Sequence, residues 1–139
     1  MMPQAAPNPT PGPRAQRQVF VYGTLRRGGS NDISRYRPLP VFLGRAEIAG
    51  TLYDLGACPG ARLGGEGRIQ GEVYAITKDV EDALDRLEEV RDDDSGEYVK
   101  RELLVWGGEA SWPCLVYEIQ RDRLGSAPVI AGGDWLSRG

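Results

Sequence analysis

The chain has 139 residues, 40% of them apolar, and a formal net charge of -3; that length suits one domain whose core needs no disulfide or metal staple. Its arginines are scattered among aspartates and glutamates with no basic stripe, so nucleic acid is not an expected partner. Histidine is absent and the only cysteines, Cys58 and Cys114, sit in no CxxC spacing, which argues against a metal site or a Cys/His nucleophile; no cofactor is expected.

No apolar run approaches the ~20 residues that span a bilayer, so no membrane association is expected. The N-terminus lacks the charged-then-apolar order of a signal peptide. The expected setting is the cytoplasm with reduced thiols, a Cys58 to Cys114 disulfide being the alternative. Residues 1–17 carry five prolines among small and polar residues and read as a flexible tail ahead of a single domain over 18–139.

Val19, Phe20 and Val21 give a short buried-strand signal that breaks at Gly23, where positive φ or close approach of a ligand to the main chain is expected. Gly28, Gly29, Ser30 and Asn31 continue it as a polar loop. Such a turn exposes the N–H groups of residues 22–25 to a small anion or carbonyl; the plain alternative is a strand ending in a turn. Gly23 and Gly28 also have the spacing of a nucleotide loop, but Gly29-Ser30 stands where a Lys-Ser/Thr pair is required. Arg26 and Arg27 read either as partners for a carboxylate at the site mouth or as solvated arginines.

Asp32 to Arg37 predicts a short helix capped by Asn31 and stopped by Pro38. Val41 to Ala49 predicts a strand bulged near Gly44, with Gly50 bending it into a second piece, Thr51 to Leu55. The chain turns at Gly56 to Ala61, and Gly64-Gly65-Glu66-Gly67 reads as a hairpin tip. In the strand Ile69 to Ile76, alternation puts Ile69, Val73 and Ala75 on one face and Tyr74 and Ile76 on the other.

Val80, Ala83, Leu84, Leu87 and Val90 recur at helical spacing, predicting a helix over 78–90 with Thr77 as N-cap and an exit turn at Gly96. Asp92, Asp93 and Asp94 read as a solvated loop. Glu97 to Trp106 and Ala110 to Ile119 predict a hairpin, and Ile130 to Leu136 a docked terminal turn or short helix. One main helix among about six hairpin-linked strands argues for an α+β fold, a small mixed-strand β-barrel with flanking helices.

Glu88 falls about 40° beyond Leu84 on the helix, at the margin of the apolar stripe. A carboxylate there has a raised pKa through desolvation and suits proton transfer near neutral pH; the alternative is a surface glutamate paired with Arg91 or Lys78. Tyr98 and Tyr117, on predicted strands, read as pocket-lining or as core. Cys58, in a glycine-proline turn, reads less well as a reactive thiol, since no base lies near it in sequence.

Tyr22-Gly23-Thr24-Leu25-Arg26, Asn31, Gly50-x-Leu-Tyr-Asp-Leu-Gly56, Gly71-Glu-Val-Tyr74, Leu84-Asp-x-x-Glu88 and Tyr98 before a basic pair occur together in this order. With them the chain resembles the gamma-glutamylcyclotransferase-like superfamily, in its AIG2-like branch, from Val19 nearly to the C-terminus. The resemblance implies a small barrel with a pocket between the glycine loop and the helix carrying Glu88. It implies that the backbone of Tyr22, Gly23, Thr24 and Leu25 holds a γ-glutamyl substrate, that Glu88 is the acid/base, and that the product is 5-oxoproline plus a free amine. Proximity within one molecule then supplies much of the rate, without protein nucleophile or metal.

A non-catalytic ligand-binding or interaction module on the same scaffold is the rival expectation. Departures from the pattern are Glu89 and Val90 where glycine is common, the acidic Asp92 to Asp94 insertion, and Lys100 where arginine is usual. The acidic insertion adds the reading that a cationic leaving amine is favoured. The amine released and the oligomeric state are not written in the sequence.

Overall fold

The computed structural model describes residues 16–90 and 96–138; the tail through residue 15, Arg91 and the Asp92 to Asp94 loop lie outside the described residues. Five strands, β1 (Gln16–Val21), β2 (Val41–Asp54), β3 (Pro59–Thr77), β4 (Tyr98–Gly107) and β5 (Ala110–Ile119), form a closed barrel in the order β1-β3-β2-β4-β5. All pairings are antiparallel except β1 with β5, which run parallel through Gln18 opposite Cys114 and Val19 opposite Leu115. The first strand begins at Gln16, two residues inside the expected tail, because Gln16 and Arg17 pair with Thr77 and Ile76.

Alternation along the strands sorts the apolar side chains into two cores. Phe20, Ile48, Ile69, Val73, Val105 and Val116, drawn from all five strands, fill the barrel, and Ile130 and Trp135 of the terminal segment close it. Val19, Val21, Tyr74, Ile76, Leu115 and Tyr117 point the other way, against Leu25, Ile33, Val80 and Leu84 of the loop and helix. The strand Ile69 to Ile76 is therefore covered on both faces, as its sequence predicts.

The long β2–β3 hairpin corrects two readings. Its tip is residues 55–58, whereas residues 64–67 are an excursion within β3: Gly50 pairs with Leu63 and Ala49 with Arg68, so four residues face none. Gly64 and Gly65 adopt φ of 93° and 86° there, left-handed values that glycine takes without a Cβ penalty. Gly50 lies inside one unbroken strand rather than between two pieces.

The expected helix over 32–37 is a single 3-10 turn, Ile33–Arg35, capped by Asp32 and not Asn31; the Asp32 carboxylate accepts from Ser34 N–H. Asn31 instead donates to Thr24 Oγ1 at 3.2 Å. The helix α1, Lys78–Leu87, begins at Thr77, whose hydroxyl accepts from Val80 N–H at 3.3 Å. It ends three residues earlier than the periodicity predicts. Glu89 N–H donates to Arg86 O at 3.2 Å and Val90 N–H to Asp85 O at 2.9 Å, the paired bonds of a Schellman ending. Glu89, not Gly96, makes the left-handed exit, at φ 55°.

The β4–β5 hairpin turns at Gly108 and Glu109, with Gly107 opposite Ala110. Cys58 and Cys114 are free thiols, so the alternative disulfide is absent. Among the described residues no helix is long and apolar enough to cross a membrane.

Candidate active site

β1 ends at Val21, and the loop that follows folds back on itself through its carbonyls. Gly23 O, Thr24 O and Leu25 O accept from Arg26, Asn31 and Ile33 N–H at 3.1, 2.9 and 2.9 Å. Among the described residues no backbone hydrogen bond uses the N–H groups of Gly23, Thr24 or Leu25. Gly23 is demanded neither by positive φ nor by ligand approach alone: a Cβ there would lie 2.5 Å from Pro59 Cγ and 2.8 Å from Cδ. The loop is thus seated against the start of β3.

That seat borders a cleft lined by Phe20, Val21, Tyr22, Gly23, Thr24, Leu25, Cys58, Pro59, Glu88, Tyr98 and Tyr117. It holds about 340 Å³ of space between protein atoms, part of it open to solvent. The structure therefore places Tyr22, Gly23, Thr24, Leu25, Glu88, Tyr98 and Tyr117, the predicted catalytic and substrate-binding residues, around one hollow. Pro59 was not predicted to line it, and only packing across the β2–β3 hairpin puts it there.

Glu88 reaches the cleft because it caps α1. Its N–H still donates to Leu84 O at 2.9 Å while the next residue swings left-handed, so Glu88 lines the cleft from the helix end. Burial, followed by the negative charge of Glu97, raises its carboxyl from 4.5 to about 7. Lys78, one partner of the surface reading, pairs instead with Asp82 at 2.7 Å.

The tyrosine hydroxyl protons are all committed elsewhere. Tyr22 Oη donates to Tyr117 O and accepts from Ala61 N–H at 3.3 Å; Tyr98 Oη donates to Pro59 O at 2.7 Å; Tyr117 Oη donates to Asp85 Oδ1 at 2.7 Å. Burial pushes all of these phenols well above their ordinary range, so they stay neutral. A hydroxyl whose proton is spent offers only lone pairs. The cleft consequently has a donor side, the loop amides, and an acceptor side, Glu88 with the oxygens of Tyr98 and Tyr117. A zwitterionic amino-acid head group has the complementary polarity.

Asp85 and Lys100 enter the sequence reading only as motif positions, with no role assigned to either. The Lys100 ammonium donates to Asp85 Oδ2 at 2.9 Å and Glu81 Oε2 at 2.6 Å. The helical spacing of Asp85 and Glu88 was a visible signal; the pairing with β4 and β5 was not. Arg26 is 4% exposed, neither solvated nor at the mouth: it donates to Glu72 at 3.0 Å and Asp134 at 2.7 Å and ties the loop to the terminal segment. Arg27 lies over the Phe42 ring, 5.0 Å from its centroid. The Cys58 thiol, 3.7 Å from Tyr98 Oη, is raised by burial, which disfavours the thiolate that a reactive cysteine needs.

The sequence profile of the gamma-glutamyl cyclotransferase, AIG2-like family matches residues 19–137. A Vibrio cholerae protein to which gamma-glutamylcyclotransferase activity is ascribed is 38% identical over 125 residues, 88% of this chain and 98% of its own length. The gamma-L-glutamyl-butirosin B gamma-glutamyl cyclotransferase of Niallia circulans is 40% identical over 73 residues, 51% of this chain and 45% of that protein. Among solved structures, an aig2-like protein from Mus musculus aligns with TM-score 0.68 and 28% identity, covering 89% of this chain and 90% of that one. A five-strand barrel, a loop whose Gly23, Thr24 and Leu25 amides have no backbone partner among the described residues, and a glutamate at a helix end thus meet a sequence match that spans both cores and the cleft: the chain belongs to the gamma-glutamyl cyclotransferase, AIG2-like family and is a cyclotransferase enzyme.

Proposed function

We propose that the cleft converts a γ-glutamyl amine or γ-glutamyl amino acid to 5-oxoproline and the free amine, with Glu88 as general acid/base. The observation that carries this reading is the raised Glu88 carboxyl in the same hollow as the Gly23, Thr24 and Leu25 amides, which have no backbone partner among the described residues. The Niallia circulans relative, named for a γ-glutamyl group carried on butirosin B, supports an amide of a non-protein amine as one substrate type.

The substrate's α-carboxylate or its developing oxyanion takes the loop amides, and its α-ammonium faces Glu88, Tyr98 and Tyr117. Glu88, ionised above about pH 7, removes a proton from the ammonium, whose reference pKa is near 8. The freed amine nitrogen attacks the γ-carbonyl carbon of the same molecule, forming the ring C–N bond. The ring nitrogen then sheds its second proton, the oxyanion collapses, the original amide C–N bond breaks, and Glu88 returns its proton to the leaving nitrogen, so that with the second proton the amine departs as its ammonium form. No water is consumed, and proton transfer of this kind is worth roughly 10² to 10⁴ in rate. Bending the substrate into the ring-closing shape supplies a further share.

The test is product analysis after incubation with γ-glutamyl amino acids, γ-glutamyl amines and ε-(γ-glutamyl)-lysine. Equal amounts of 5-oxoproline and free amine, with no glutamate, are expected from at least one of them. Glutamate in place of 5-oxoproline would mean hydrolysis and would overturn the cyclisation; binding without release would return the chain to the ligand-binding module.

A further inference from the structure

We infer that Asp85 is a positioning residue that acts through Tyr117, fixing its hydroxyl as a hydrogen-bond acceptor toward the cleft; this rests on the proposed function. Tyr117 lines the cleft, and its hydroxyl has one proton and two lone pairs. That proton goes to Asp85 Oδ1 at 2.7 Å, while Asp85 Oδ2 accepts from Lys100 at 2.9 Å. A carboxylate held by an ammonium has no proton to give, so the bond runs in one direction. The Tyr117 oxygen can then only accept, which suits the substrate ammonium that Glu88 deprotonates.

Lys100 is held in turn by Glu81, which is 1% exposed and also lies 3.6 Å from Arg17. The chain Glu81, Lys100, Asp85, Tyr117 links α1, β4 and β5 and leaves Asp85 little rotational freedom. Asp85 also precedes Glu88 by three residues on the same helix end, so the base and the residue that orients its neighbour share one rigid element.

This arrangement makes Asp85→Asn more than a loss of charge. Lys100 carries donors only, so the amide oxygen of the variant faces Lys100 and its NH2 faces Tyr117. The amide then donates to Tyr117 Oη, and the phenolic proton turns into the cleft, against the ammonium. The side-chain volume hardly changes.

The experiment compares kcat/KM for amine release by the full chain, D85N, Y117F and the double variant, with hydroxyl-proton NMR on tyrosine-labelled protein. D85N should lower kcat/KM about tenfold or more where Tyr117 is present, and less than about twofold where Tyr117 is already Phe. An equal loss in both backgrounds would mean a structural role and would overturn the inference, as would a D85N enzyme equal to the parent. Separately, the parent should show a slowly exchanging Tyr117 hydroxyl proton close to Asp85; a proton in rapid exchange with water would overturn it even if D85N fails to fold. A parent protein that releases no amine from any γ-glutamyl compound would remove the proposed function instead, leaving the hydroxyl proton to decide the role of Asp85.

Discussion

Replacing Glu88 by Gln should stabilise the protein at pH 8, and the gain should vanish toward pH 4.5. In the folded chain the Glu88 carboxyl is raised from 4.5 to about 7, by burial first and by Glu97 second. The native state therefore holds this proton more tightly than the unfolded state does, and stability falls as pH rises between those two values. Above about pH 7 the full penalty is present; below about 4.5 both states are protonated and it is gone. The gap corresponds to about 3 kcal/mol, or roughly 10 °C in melting temperature for a domain of this size. Gln, neutral and nearly isosteric with the protonated acid, escapes the penalty. Thermal melts of parent and E88Q at pH 4.5, 6 and 8 read the effect directly. A gain that is the same at pH 4.5 and pH 8, or none at pH 8, would refute the claim that Glu88 is a desolvated carboxyl.

Other consequences follow from single positions. Gly23→Ala puts a methyl 2.5 Å from Pro59 Cγ, so it should lower stability by about 1 to 3 kcal/mol and shift the loop amides, and melting together with kcat/KM should show activity falling further than stability. Glu89→Gly relieves a non-glycine residue at φ 55° in the Schellman ending, with an expected gain of about 1 kcal/mol in urea unfolding. Glu97→Gln removes the second cause of the Glu88 shift; the acidic limb of the pH–rate profile should move below pH 7 while burial keeps it above the ordinary carboxylate range.

What could be read from the sequence divides along the range of the interactions involved. The Thr77 cap, the apolar stripe of α1 and the β4–β5 turn are local, and each was legible from a few neighbouring residues. The glycine break after Val21 announced a loop, and Glu88 stood out because its place on the helix wheel is set by Leu84. The 64–67 excursion was misread as a tip because glycine-rich composition is the same in both, and only the register of β2 against β3 separates them. The burial of Arg26 depends on Glu72 and Asp134, 46 and 108 residues away. Asp85 and Tyr117, 32 residues apart, are joined by the docking of α1 on the barrel, which no local pattern encodes.

Glu88 also shows why the helix end matters more than the helix. The periodicity that continues to Val90 would leave the glutamate on the flank of a longer helix, whereas the left-handed Glu89 ends it one residue beyond the carboxyl. Helix termination is set there by a residue poorly suited to the conformation. Substitution for stability alone and retention of a desolvated, raised carboxyl for chemistry pull in opposite directions at neighbouring positions.

The most direct measurement is a comparison of parent and E88Q for 5-oxoproline release from a γ-glutamyl amine at pH 7.5, with substrate binding followed by calorimetry. The account predicts that E88Q folds and binds the substrate, yet releases 5-oxoproline at least 10²-fold more slowly. Turnover by E88Q within a few-fold of the parent would contradict it.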